Sequence, residues 1–150
     1  MRRVLVVLSG LLLVAILVQF YFAAVGAFDR PQDDDSFALH SITGMMIIPL
    51  LSILTGVAAA LARAPGRLIG MSFAPLGLVV VQVLIIVVGN VISGGSDEDT
   101  SAASLFVFGL HAVNALLLGG AAAAVFRRAR AFAAEKTTVD APQPTVTPAA

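Results

Sequence analysis

The chain contains no cysteine. That absence excludes disulfides, thiolate-held metals, iron–sulfur clusters and cysteine nucleophiles together, and it leaves His40 and His111 as the only imidazoles. Charge is nearly as scarce. Only 12% of the 150 residues are charged and 59% are hydrophobic, whereas soluble domains carry about 25% charged residues. Nine Lys plus Arg balance nine Asp plus Glu, and no basic patch suited to nucleic acid is present. Serine and threonine occur without a His and acid pair at a shared site, so no nucleophilic triad and no catalytic residue is assigned.

What is present is apolar length. Runs cover residues 4–26, 37–62, 68–93 and 104–126 without a single Asp, Glu, Lys or Arg, each longer than the roughly 20 residues that cross a bilayer as a helix. A barrel strand would alternate apolar and polar residues over about ten positions, and lipid requires each segment to satisfy its own backbone. The expected fold is all-α: a membrane four-helix bundle running up-down-up-down, with residues 1–136 as one transmembrane domain. Thr137 to Ala150 is proline-rich and nearly uncharged, and reads as a disordered tail.

The connections carry the charge. Arg2, Arg3, Arg63, Arg67, Arg127, Arg128, Arg130 and Lys136 all fall on one side of the predicted spans, and only Arg30 falls on the other. The positive-inside rule then places both termini in the cytoplasm, in a bacterial cytoplasmic membrane. A basic start followed by an apolar run also fits a secretory signal, whose removal would leave three spans; the length of the run and the aromatic Gln19-Phe20-Tyr21-Phe22 segment favour a retained helix. Pro49 and Pro75 predict local distortions in the second and third helices. No internal repeat stands out beyond a shared helix-loop-helix layout with one His on the second helix of each half.

His40 and His111 lie about 5 Å and about 10 Å inside the outer ends of the even-numbered helices, from a rise of 1.5 Å per residue, and are expected to share one membrane level near the outer face. Two neutral imidazoles facing each other across a bundle are what six-coordinate haem iron takes, and four-helix bundles hold haem b between facing helices. Gly44 follows His40 by one turn and offers room for a flat ring, as does Ala115 after His111. Gln19, Phe22, Ala23 and Gly26 share one face of the first helix, and Gln82, Ile85, Ile86 and Gly89 repeat that spacing on the third. The two Gln are candidates to orient a His or reach a cofactor, and Arg30 is a weaker candidate partner for a haem propionate, ranked behind a surface pairing with Asp29 or Asp33. In the contrasting reading Gln19, Gln82, Asn90 and Asn114 only bond neighbouring helices, and small residues such as Gly66 and Gly70 only allow close packing. Asp33 to Asp35 and the acidic residues 97–99 lack the spacing of a calcium loop and read as solvated loops.

The stretches Gln19 to Phe28, Phe37-Ala38-Leu39-His40 with Gly44, Val81-Gln82-Val83 and Leu110 to Ala115 resemble a family of small, functionally unassigned four-helix membrane proteins of actinobacterial type. More distantly, the placement of His40, His111 and the Gln82 segment is similar to one four-helix half of haem A synthase. That enzyme's pattern has an acid three residues before the second-helix His and an Arg directly after it, where this chain has Phe37 and Ser41. The resemblance therefore implies a haem for structure, electron transfer or sensing rather than hydroxylation. Three functions are weighed: a one-haem membrane protein with His40 and His111 as axial ligands, a cofactor-free helper that packs on a membrane-protein partner or on itself as a homo-oligomer, and a transporter. The transporter ranks last because no carboxylate lies within a span.

Overall fold

The computed structural model describes residues 1–33, 35–94 and 101–139, with the side chains of residues 136–139 set aside. Asp34, the acidic residues 97–99 and the tail from residue 140 lie outside the described residues. Four helices account for most of the rest: α1 (Arg2–Phe28), α2 (Ala38–Leu61), α3 (Gly66–Ile92) and α4 (Ala102–Val139). All are long and apolar enough to span a bilayer, and no strand occurs among the described residues. Helix α4 runs three residues into the stretch read from sequence as tail.

Large apolar side chains cover the outside: Phe106 is 71% exposed, Leu116 68% and Leu17 60%. Water would penalise so broad an apolar surface, and hydrocarbon does not. The buried hydroxyls satisfy themselves locally. Ser52 Oγ donates to the Ile48 carbonyl at 2.8 Å, Ser72 Oγ to Leu68 at 2.8 Å and Thr55 Oγ1 to Leu51 at 2.7 Å, the back-bonding that lets such residues sit inside a helix bundle without water.

Each helix packs on two neighbours, α1 on α2 and α4, and α3 on α2 and α4. The cross-section is a square with α1 and α3 on one diagonal and α2 and α4 on the other. The connection between α2 and α3 is closed by Arg63, whose φ of 53° is left-handed, and by the Ala64 amide on the Ala59 carbonyl at 3.0 Å, a helix-ending pattern that satisfies the last carbonyls. Two core clusters stack along the axis. One joins Leu5, Ala58, Ala59, Leu68, Ala129 and Phe132 at the arginine-bearing end, where Arg2 donates to the Phe132 carbonyl at 2.6 Å and its guanidinium lies 3.8 Å from that ring centre. The other joins Leu12, Ile16, Ile48, Val79, Leu118 and Ala122.

The packing shows an internal repeat that goes beyond the shared helix-loop-helix layout expected from sequence. The buried positions of α1 are Leu5, Ser9, Leu12, Ile16 and Gly26, and those of α3 are Leu68, Ser72, Pro75, Val79 and Gly89, each 63 residues on. In the even-numbered helices Phe37, His40 and Thr43 correspond to Phe108, His111 and Asn114, each 71 residues on. Beyond that point Ile48, Ser52, Thr55 and Ala59 correspond to Leu118, Ala122, Val125 and Ala129, each 70 residues on. The missing residue is found in α2 itself, which widens into a π turn at Thr43–Ile47. A π turn holds one extra residue without turning the following helix out of register. Pro49 explains its position: it has no N–H for the Met45 carbonyl, and its ring crowds that carbonyl. The distortion expected at Pro49 thus takes this form, whereas α3 continues as an α-helix through Pro75.

The two halves, α1–α2 and α3–α4, are therefore related by an approximate two-fold axis along the bundle. Parallel repeats of this kind place corresponding residues at one level on opposite sides of the axis.

Candidate functional site

The even-numbered helices bring His40 and His111 face to face near the bundle end opposite the α2–α3 connection. Their ring centres are 6.1 Å apart and the planes are inclined at 45°. Around and below them lies a cavity of about 450 Å³ reached by all four helices, inside the range of roughly 300–1,000 Å³ typical of small-molecule sites. Its floor is Ile16, Ile48, Val79 and Leu118, one residue from each helix and two corresponding pairs of the repeat. Its wall is apolar apart from Gln19, Gln82, Ser41 and the two histidines.

Each odd-numbered helix holds the neighbouring histidine's backbone through a glutamine. Gln19 Nε2 donates to the His40 carbonyl at 2.8 Å, and Gln82 Nε2 to the His111 carbonyl at 2.8 Å. The Gln19 amide fits because Gly44 has no side chain: a Cβ there would lie 2.7 Å from Gln19 Nε2. Gly44 therefore receives the glutamine as well as lining the cavity. Gly26 is fixed by the same logic, since a Cβ would lie 2.6 Å from the Phe37 ring and from the Ser36 carbonyl. Gly89 meets Phe108 in the corresponding place. Phe37 also sets its ring edge-on to His40, 6.3 Å between centres at 80°.

Beyond the backbone clamps the two halves differ. His40 Nδ1 lies 3.2 Å from the Gln19 carbonyl. A carbonyl only accepts, so this bond puts the proton on Nδ1 and leaves the Nε2 lone pair free. His111 Nδ1 is buried with no partner, as is Gln19 Oε1, and both residues line the cavity. Asn114 completes the second half: its Nδ2 donates to the Leu78 carbonyl at 2.9 Å and to Gln82 Oε1. Thr43 occupies the corresponding place in the first half.

Of the residues singled out from sequence, His40, His111, Gln19, Gln82 and Gly44 converge on this one cavity. Arg30 does not line it. Its guanidinium turns back onto the Asp29 carbonyl at 2.6 Å and the Ala27 carbonyl at 3.2 Å. In the same loop Ser36 Oγ donates to Asp29 Oδ2 at 2.9 Å, and Asp33 Oδ1 accepts the Asp35 amide at 2.9 Å. Gly66 and Gly70 face open space rather than a neighbouring helix. Phe108, the partner of Gly89, is not among the residues singled out from sequence, although its signal is present there: each His follows a Phe by three residues and each Gln precedes a Gly by seven. Among the described residues no group of three His, Cys, Asp or Glu converges as a metal site.

No curated protein and no solved structure matches the chain. Residues 19–89, which include Gln19, His40, Gly44 and Gln82 but not His111, are similar to a family of unknown function, DUF6220.

Proposed function

We propose that this small multi-pass membrane protein holds one haem b between His40 and His111. The observation that supports it is the separation of the two rings. Two imidazoles on opposite sides of one iron, with metal–nitrogen bonds of about 2.0 Å and ring centres about 1.1 Å behind the nitrogens, stand about 6.2 Å apart. The histidine rings lie 6.1 Å apart. A tetrahedral ion such as zinc would draw the same centres to about 5 Å and would want further ligands, and no third metal-binding side chain joins the pair among the described residues.

The chain's own residues fit that group. Gln19 and Gln82 fix the two histidine backbones from opposite corners of the square, and the His40 tautomer presents Nε2 as the free ligand nitrogen. The apolar cavity wall would keep water from a haem held there. A haem held by His40 and His111 would supply one-electron redox chemistry. On the distribution of arginines, the site lies in the outer half of a bacterial cytoplasmic membrane, with both termini in the cytosol.

The test is the absorbance of protein purified from haem-sufficient cells. A Soret band with the sharp visible bands of six-coordinate iron is expected. A colourless, folded protein would overturn the proposal and leave the cofactor-free helper reading in its place.

A further inference from the structure

The approximate two-fold axis makes the histidines equivalent in position, but their hydrogen bonding is not equivalent. His40 is held at both ends: Gln19 Nε2 reaches its carbonyl at 2.8 Å, and its Nδ1 meets the Gln19 carbonyl at 3.2 Å. The repeat would give His111 the Gln82 carbonyl as its acceptor. That bond is absent, and His111 Nδ1 is buried without a partner. Gln82 secures only the His111 backbone, and its own Oε1 is taken by Asn114.

We infer that His40 is the fixed ligand of the site and His111 the exchangeable one, so that a small neutral diatomic molecule such as carbon monoxide enters on the His111 side. This rests on the haem reading and extends it from electron transfer to reversible ligand exchange. The reason lies in outer hydrogen bonds. A ligand histidine whose second nitrogen donates to a carbonyl is fixed in tautomer and orientation and is the stronger base, and removing such a partner costs about 10–100-fold in metal affinity. For His111 to leave the iron, no hydrogen bond of its ring has to break. For His40 to leave, the bond to the Gln19 carbonyl breaks and the ring moves against Phe37. The exchange forms one iron–ligand bond, breaks one iron–nitrogen bond and transfers no electron.

The experiment compares wild type, His40→Ala and His111→Ala as full-length proteins in lipid nanodiscs, by absorbance, haem transfer to apomyoglobin and carbon monoxide binding to the reduced form. His111→Ala should keep its haem as a five-coordinate species that added imidazole returns to six-coordinate, and should bind carbon monoxide at least about tenfold faster than wild type. His40→Ala should lose haem at least about tenfold faster than His111→Ala. Equal loss in both variants, faster loss in His111→Ala, or a reduced wild type that forms no carbon monoxide adduct would each overturn the inference with the haem reading intact. A wild type without a Soret band would sink the haem reading itself.

A second measurement needs no variant to fold. Nitrogen-15 NMR of the haem-free wild type should show His40 locked with its proton on Nδ1 and His111 exchanging between tautomers. Two locked rings, or the reverse assignment, would overturn the asymmetry.

Discussion

The α1–α2 half and the α3–α4 half solve one packing problem twice with different chain lengths. Up to the histidine the inward helix positions correspond at constant spacings, although the connecting loops differ in length: Gln19 and Gln82 reach across to His40 and His111, and Gly26 and Gly89 receive Phe37 and Phe108. After it, the first half carries one more residue and stores it in the π turn Thr43–Ile47. Every residue of an α-helix turns the next by about 100°, so an extra residue in continuous helix would rotate Ile48, Ser52, Thr55 and Ala59 away from the core they share with Leu118, Ala122, Val125 and Ala129. The difference teaches which constraint is stiff. The inward face of the helix below the site is preserved, and the backbone beside the site absorbs the mismatch.

The largest effect should come from moving that mismatch. Deleting Met45, which is 59% exposed within the π turn, converts the first half to the register of the second and should leave a folded protein. Deleting Leu54, an exposed residue of the continuous part of α2, turns buried Thr55, Gly56, Ala58 and Ala59 outward and should abolish folding. Circular dichroism and size exclusion in detergent check both, and two deletions that behave alike would break the comparison.

The glycines come next. An alanine Cβ at Gly26 would meet the Ser36 carbonyl as well as the Phe37 ring, whereas at Gly89 its three nearest atoms would all belong to the Phe108 ring. A ring on a rotatable side chain yields more readily than backbone. Overpacking of this sort costs about 1–3 kcal/mol, and Gly26→Ala should fall near the upper end and Gly89→Ala near the lower. Denaturant titration in mixed micelles measures the pair.

Much of this was legible in the residues. The four spans followed from hydropathy because lipid forces each segment to be long, apolar and helical, whereas distance to the helix ends could not fix the relative level of His40 and His111, which lie two and nine residues into their helices. The repeat was hidden for two physical reasons. Lipid-facing positions need only be apolar, so Val7 and Gly70 stand at corresponding places without resemblance, and the extra residue in α2 shifts the spacing partway along the helix. The π turn itself depends on how Pro49 is accommodated, which hydropathy does not encode. The role of Gly44 was half seen. The sequence suggested space for a ring, and the geometry adds that the space receives the Gln19 amide.

The smallest effect separates the two glutamines. Gln82 makes two hydrogen bonds, to the His111 carbonyl and from Asn114, whereas Gln19 makes one and leaves Oε1 unpaired. Hydrogen bonds between membrane helices contribute about 0.6 kcal/mol on average and up to about 1.7, and a buried acceptor without a donor opposes folding. Replacing Gln19 by isosteric methionine removes one bond together with the unpaired acceptor, so the two changes offset and stability should move by less than about 0.5 kcal/mol. Gln82→Met removes both bonds and strips Asn114 of one acceptor, and it should cost about 1–2 kcal/mol. A double-mutant cycle with Asn114→Leu isolates the coupling, since the loss at Gln82 should shrink once Asn114 is gone. If Gln19→Met proved the more costly of the two, the half with fewer hydrogen bonds would be the better anchored one, and the assignment of His40 as the fixed ligand would then rest on the Gln19 side chain as much as on its carbonyl.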